Sequence, residues 1–199
     1  MTMPRIATAL LAVCVCASPA AAQTPPSPEA MREMLEAMKP VGEHQELATL
    51  AGSWTQEITY AMGGPPTKAN GTATNRMILG GRFLVSEGTS PNPAGPGFGD
   101  ATVGSMTIYG FDRRTHEFTI IGLDTMGTYY VTAAGKKTDP RTVVMAGETD
   151  EELAGVKRQQ KYDMVLKFID ADTYVSEIIF KFPGMPDQTL VAVTHRRIK

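Results

Sequence analysis

The sequence predicts an all-β domain: an antiparallel up-and-down β-barrel of about ten strands, preceded by an N-terminal amphipathic helix. From Trp54 to the C-terminus, apolar residues alternate with polar ones, which is the pattern of half-buried strands. Short runs rich in Gly, Pro, Asp and Asn separate these segments without intervening helical patterns, as in antiparallel meanders. A long meander with one apolar face hides its edges most completely by closing on itself, and a two-sheet sandwich is the alternative.

Residues 1–22 have the pattern of a secretory signal peptide. A positively charged start, MTMPR, precedes the apolar run IATALLAVCVCA, and the small residues ending at Ala22 predict cleavage before Gln23. The apolar run is shorter than the roughly 20 residues that span a bilayer, so we expect no membrane insertion after cleavage. A lipoprotein is the alternative, because LAVC resembles a lipid-attachment box, although bulky Val13 stands where such a box has a small residue.

Composition predicts an exported domain without disulfides. Both cysteines, Cys14 and Cys16, lie in the predicted signal, so residues 23–199 contain no thiol nucleophile or cysteine metal ligand. This is typical of a periplasmic or secreted bacterial domain that is stabilised by its own core. The formal net charge is −2 and the basic residues are scattered, so nucleic acid is not an expected partner. The sequence does not specify an oligomeric state.

Residues 23–51 are predicted to form a proline-rich tether and a helical leader. Ser27 is suited to cap a helix that has Pro28 at its first position and ends at Pro40. Four apolar residues recur at helical spacing and form one stripe: Met31, Met34, Leu35 and Met38. Two interpretations are open, a helix packed on the domain or a methionine-rich lid over an opening. The segment GEHQELATLAG predicts a second short helix.

Residues 52–199 are predicted to form the barrel. The ten strands are expected at 53–61, 68–79, 82–89, 101–111, 117–124, 127–134, 142–148, 157–169, 174–182 and 189–198. The segment SPNPAGPGFGD is expected to be a loop at the barrel rim.

Trp54 is expected to close one end of this barrel. In SWTQEITY, Trp54, Gln56 and Tyr60 share one face with Ile58, whereas the opposite face is entirely polar, so the tryptophan face points inward. An indole covers about 150–250 Å², or about 4–6 kcal/mol of gross burial. Gly52 allows the sharp turn from the leader into the first strand.

These motifs resemble a known fold family. A Gly-x-Trp at the first strand with an arginine near the end of the last strand resembles the lipocalin-like, or calycin, barrels. The resemblance implies that Arg196 or Arg197 packs over the indole. The segments EHQELATLAGSW, GTATNRMILGGRFL, IYGFD and DTMGT resemble an uncharacterised bacterial family of unknown function over about residues 43–197. That resemblance implies a lipocalin-like domain and no known activity.

The sequence offers polar candidates for a ligand site and no recognisable catalytic motif. The polar candidates for lining the lumen are Gln56, Tyr60, Glu87, Asp124, Tyr130 and His195. The three histidines have no metal-ligand spacing, and no GxSxG motif occurs, so neither a metal site nor catalytic residues are assigned. An inward His195 would also be a candidate axial ligand for haem, since the nitrobindin-like barrels resemble this chain in having a late histidine.

The sequence therefore favours a non-catalytic, periplasmic or secreted protein that binds a small apolar or amphipathic molecule. A barrel filled by its own side chains, acting as a protein-interaction or envelope-stress module, is the first alternative. A haem-binding barrel and an enzyme are the others.

Overall fold

The computed structural model describes residues 26–61, 64–95, 100–153 and 156–199. The predicted signal peptide lies outside these ranges. Two helices and ten strands follow in order: α1 (Pro28–Ala37), α2 (Gly42–Ala48), β1 (Gly52–Tyr60), β2 (Thr67–Ile78), β3 (Phe83–Pro91), β4 (Thr102–Asp112), β5 (Glu117–Asp124), β6 (Tyr130–Asp139), β7 (Thr142–Leu153), β8 (Val156–Asp170), β9 (Thr173–Lys181) and β10 (Gln188–Arg197).

The strands form one closed antiparallel barrel. Each strand pairs with its neighbour in sequence, and β10 returns to pair with β1 through seven residue pairs from Trp54↔Arg197 to Tyr60↔Val191. The predicted up-and-down barrel of ten strands is therefore confirmed. Because the first and last strands of the meander, β1 and β10, pair with each other, neither of them remains an unpaired edge strand.

The largest difference from the predicted boundaries concerns β6. This strand begins at Tyr130 and continues to Asp139, whereas the prediction placed it at 127–134. The segment GKKTDP was interpreted as the turn because it is polar and contains Gly and Pro. In the structure its first five residues belong to the strand, and the turn is confined to Pro140 and Arg141. Charged residues are tolerated there because most of this stretch is exposed.

The two ends of the barrel differ in how they are filled. We call the end with the β2–β3, β4–β5, β6–β7 and β8–β9 turns the closed end and the opposite end the open end. Leu47 of α2 and Leu50, which follows it, are 0% and 4% exposed and join Trp54 in the core cluster at the closed end. The rest of this core comes from inward-facing strand residues that include Leu84, Phe118, Val143, Met145, Leu166 and Tyr174.

Helix α1 is attached to the closed end through its C-terminus. The Ser27 hydroxyl accepts a hydrogen bond from the Ala30 amide at 3.1 Å, so the predicted N-cap is confirmed. Arg82 donates to the Met38 carbonyl at 3.0 Å, and Arg113 donates to the Glu36 carbonyl at 2.8 Å. Both arginines lie in closed-end turns, so α1 is remote from the open end.

The apolar stripe of α1 remains exposed. Its four residues, Met31, Met34, Leu35 and Met38, are 43–58% accessible, and α1 buries none of its residues. The helix therefore contacts the domain through backbone carbonyls rather than through its apolar side chains. No helix in the described part of the chain is long and apolar enough to cross a membrane.

The backbones of β6 and β7 approach each other closely at Gly135. A Cβ at this position would collide with the Val144 carbonyl and lie 2.9 Å from the Met145 Cα, both in the neighbouring strand β7. Only a residue without a side chain allows the two backbones to approach this closely.

We therefore expect Gly135→Ala to lower the free energy of unfolding by about 2 kcal/mol or more, because the backbone of β6 or β7 must shift. Urea denaturation followed by far-UV circular dichroism measures the loss. Gly42→Ala is the control, since a Cβ at Gly42 meets nothing within 4 Å. Equal stability of the two variants would contradict the proposed close approach.

Candidate functional site

Trp54 forms a plug with Arg197 and Tyr174 at the closed end. The indole is fully buried, and its Nε1 donates to the Leu50 carbonyl at 2.9 Å. The Arg197 guanidinium carbon lies 4.2 Å from the centre of the Trp54 ring. The Tyr174 ring meets the indole edge-on with 4.8 Å between ring centres. This arrangement combines a cation–π contact with an edge-to-face aromatic pair.

Arg197, rather than Arg196, is the partner of the tryptophan. Its guanidinium also donates to the carbonyls of Ala51 and Thr49, each at 2.7 Å. Arg196 lies on the outer face, where it forms a 3.7 Å ion pair with Glu57. The alternation of side chains along β10 separates the two arginines, and the register Trp54↔Arg197 fixes which of them points inward.

Gly52 is required by the same contact. Its φ of +129° is rarely accessible to residues with a side chain, and a Cβ would lie 2.7 Å from Arg197 Nη1. The glycine thus permits the turn into β1 and leaves room for the guanidinium.

A polar cluster lies directly above the plug. The Asn75 side-chain amide donates to the Leu50 carbonyl at 2.9 Å and to the Tyr174 hydroxyl at 3.0 Å. The Tyr174 ring stacks on the His195 ring at 3.9 Å and 9°, and His195 Nε2 lies 3.0 Å from the Ser176 hydroxyl. Asn75 Oδ1 and His195 Nδ1 have no hydrogen-bond partner among the described residues, although both atoms are buried.

His195 faces inward and is 4% exposed. Burial lowers the pKa of its imidazole to about 3, so the ring is neutral at physiological pH. One ring nitrogen is then a donor and the other an acceptor, whichever tautomer forms. Burial also raises the pKa of Tyr174 to about 12, which keeps that hydroxyl protonated and able to donate. The cluster is therefore an uncharged group of donors and acceptors.

The open half of the barrel lies above this cluster, and we call its inward-facing lining the cup. Part of this lining is only partly buried: Gln56, Tyr60, Thr107, Val131, Ile178, Phe180 and Val191. Other inward-facing residues of this half are buried: Ile58, Ser90, Val103 and Gln160. Glycines keep part of the wall thin. A Cβ at Gly71 would lie 2.8 Å from Gln56 Oε1, so the Gln56 side chain lies over this glycine.

Two of the predicted polar residues line the cup and a third lies at its rim. Gln56 and Tyr60 point into the cup, and the Tyr60 hydroxyl lies 3.2 Å from that of Ser90. Asp124 pairs with Ser105 at the open end, and its carboxylate accepts a hydrogen bond from the Met126 amide at 2.8 Å.

Glu87 and Tyr130 lie outside the lumen, so their predicted placement was wrong. Along β3 the inward residues include Leu84 and Ser86, which leaves Glu87 on the outer face, 3.5 Å from Arg76. The prediction took the opposite face of this strand as inward because Phe83 and Val85 are apolar. Tyr130 pairs with Leu123 on the outer face and is 65% exposed.

Sequence reasoning missed Ser176, Asn75 and Ser86. Each is a small polar residue at an inward position of a strand, where an apolar residue is the usual choice. Alternation alone reveals them only after the inward face of each strand is known. Among the described residues, no group of three or more His, Cys, Asp or Glu side chains could hold a metal ion.

The closed ten-stranded barrel with a Trp–Arg plug and an open cup defines a lipocalin-like β-barrel protein. Within that class, the chain belongs to the family described as Protein of unknown function (DUF1579), whose model matches residues 39–197. The predicted membership of an uncharacterised family is thereby confirmed. Comparison with curated proteins gives no match.

A solved structure shares the fold. The crystal structure of Rv2717c from M. tuberculosis aligns with a TM-score of 0.55 and 15% identity, covering 81% of this chain and 100% of that chain. At this identity the likeness concerns the fold alone.

We expect Arg197→Lys to lower the free energy of unfolding by about 1–3 kcal/mol. An ammonium cannot at once donate to both carbonyls and lie over the indole as the planar guanidinium does. Trp54, the only tryptophan, reports unfolding by fluorescence. Arg196→Lys, a neighbouring outer-face change, should stay within about 0.5 kcal/mol of the parent. A larger loss in Arg196→Lys than in Arg197→Lys would refute the assignment.

His195 should make the fold sensitive to acid. Its folded pKa of about 3 lies below the ordinary value of 6.5, so on acidification the unfolded chain takes up the proton first. Stability is lost between about pH 6.5 and 3, by up to about 1.4 kcal/mol per pH unit. His195→Gln removes the part of the stability that depends on this protonation. The urea midpoints of the variant at pH 7, 6 and 5 should therefore fall less steeply with decreasing pH than those of the parent. Parallel pH profiles would show that the imidazole is not held neutral by the fold.

Proposed function

We propose that this protein is an exported, periplasmic or secreted binding protein that holds a small apolar or amphipathic molecule in the cup. The observation that carries the proposal is the contrast between the two halves of the lumen. Large side chains fill the closed half, whereas Ile178, Phe180 and Val191 of the open half keep partial solvent access beside the buried Ile58 and Val103. Concave apolar surfaces with a few polar groups are typical small-molecule sites.

The polar groups at the base of the cup support an amphipathic ligand. Ser176 is only partly buried, and its hydroxyl is oriented by His195 from below. Gln56 is beside His195 in the β1–β10 register and adds an amide to the same region. A ligand with one hydrogen-bonding group and an apolar body would satisfy these groups while covering Ile178 and Phe180.

Haem is a second candidate ligand because His195 points into the lumen. Coordination through Nε2 would require the imidazole to give up its 3.0 Å contact with Ser176, and the ring would have to leave the Tyr174 stack or bind iron within it. The side of the His195 ring that carries Nδ1 is enclosed by the side chains of the filled closed half. These contacts favour a polar anchor over an axial ligand.

A protein-interaction role is the alternative from another class. The exposed stripe of α1 is the feature that favours it, since four apolar side chains on one helix face are 43–58% accessible. The cup does not contribute to that surface, because α1 is attached at the closed end.

Native mass spectrometry of the protein isolated from a periplasm tests the proposal most directly. We expect an additional mass that is lost on denaturation, and its value separates haem from a lipid or another metabolite. Titration with the apolar fluorophore N-phenyl-1-naphthylamine provides a second measurement when the natural ligand has dissociated.

The variant Ile178→Trp should abolish fluorophore binding, because an indole at this inward position fills the cup. Ile179→Trp is the matched control: it makes the same change at the next residue of β9, on the outer face, and should leave the affinity unchanged. Circular dichroism verifies that both variants fold. Equal binding by parent and Ile178→Trp would exclude the cup as the site.

A further inference from the structure

The barrel wall is interrupted between β6 and β7. Their ladder runs from Asp139↔Thr142 to Ala134↔Ala146 and ends there. If it continued, Ala133 would pair with Gly147 and Thr132 with Glu148, and neither pair forms. Beyond this point β6 still pairs with β5, and β7 still pairs with β8. We call this interruption, residues 132–133 of β6 and 147–148 of β7, the seam.

A cleft of about 640 Å³ lies at the seam. Its floor consists of Ile120, Ala133 and Tyr162, which are inward-facing residues of the barrel. Its outer lip carries charged side chains, namely Glu148, Lys161, Asp163 and Lys181. Both the volume and the combination of an apolar floor with polar groups at the lip are in the range of small-molecule sites.

The Tyr162 side chain bridges the seam, where β6 and β7 do not pair with each other through their backbones. Its hydroxyl donates to the Thr132 carbonyl at 3.0 Å, and the residue is 3% exposed. Gly147 makes this possible, since a Cβ there would lie 2.7 Å from Tyr162 Cζ and 2.5 Å from the Thr132 oxygen. The aromatic ring thus occupies the space that a side chain at position 147 would need.

We propose that the seam is a side entrance through which a small apolar molecule passes between the cleft and the cup, and that Tyr162 is its gate. The proposal rests on the proposed function, since it concerns access to the same lumen. Tyr162 lies between the two spaces: it lines the cleft, and its ring centre is 6.2 Å from that of Phe180 in the cup. Swinging the ring aside breaks one neutral hydrogen bond and no strand pair, and it takes a 3% exposed side chain out of the core cluster.

The two openings differ in where their polar groups lie. The open end presents Ser105, Asp124 and the Tyr60–Ser90 hydroxyl pair around the cup, together with exposed apolar side chains in its turns, namely Met126, Tyr129 and Met185. The cleft presents Ile120, Ala133 and the face of Tyr162 along the path itself, with charges only at its lip. At the lip, the Lys181 ammonium forms an ion pair with the Asp163 carboxylate at 2.7 Å, so these two charges compensate each other.

Two opposite perturbations test the gate by stopped-flow binding of N-phenyl-1-naphthylamine. Tyr162→Phe keeps the ring and removes the bond to Thr132, so association and dissociation should both accelerate by about five-fold, the factor for one neutral hydrogen bond. The dissociation constant should stay the same, because the gate is closed before and after passage. A merely structural role of Tyr162 would change the affinity or the fold, not both rates in parallel.

The second perturbation blocks the cleft from outside. Both native cysteines lie in the predicted signal, so Thr132→Cys provides a single thiol for a bulky maleimide once the signal is removed. The modified protein should bind the fluorophore more slowly, with an unchanged dissociation constant. Lys136→Cys carrying the same label is the matched control, because Lys136 lies on the same strand and outer face but is paired with Val144 in the β6–β7 ladder.

The outcomes separate the two proposals. Absence of fluorophore binding at equilibrium in the parent would overturn the proposed function together with the gate. Normal equilibrium binding, with rates that neither Tyr162→Phe nor the label at position 132 changes, would leave the cup as the site and overturn the seam as its entrance.

Discussion

The contact between Trp54 and Arg197 is the constraint on which the rest of the structure depends. These residues occupy paired positions on the first and last strands, so their packing closes the barrel and fills one end of it in a single interaction. The guanidinium also satisfies the carbonyls of Thr49 and Ala51 in the link between α2 and β1. Helix α2 is thereby fixed over the closed end, where Leu47 completes the core.

Filling one end with large side chains leaves the other end thinly lined. The two largest of the fully buried side chains that the structure describes, Trp54 and Tyr174, lie at the closed end, whereas Gly71, Gly88 and Ser90 occupy inward positions towards the open end. A ten-stranded barrel is wider than one that side chains just fill, so an unequal distribution of side-chain volume produces a cup. The polar cluster of Asn75, His195 and Ser176 marks the boundary between the two halves.

The sequence was sufficient for features that depend on local patterns and on one large side chain. Ten strands, the N-cap at Ser27 and the inward direction of Trp54 all follow from alternation, capping preference and burial. The face of β3 was misjudged because Val85 is apolar and nevertheless lies on the outer side, which made Glu87 look inward. The choice between Arg196 and Arg197 depended on the β1–β10 register, which pairs residues about 140 positions apart and leaves no local signal.

The seam begins next to the close approach of the two backbones at Gly135. At this residue β6 and β7 approach too closely for a side chain, and one residue further towards the open end their ladder stops. Beyond this point β6 pairs with β5 and β7 pairs with β8. The ladder continues on the side of the plug, with a register shift between Lys137 and Asp139, and stops on the side of the cup. Tyr162 is not part of the Trp54–Arg197 contact, but it belongs to the same buried core cluster as Trp54, so its movement is opposed by the packing of the core as well as by its bond to Thr132.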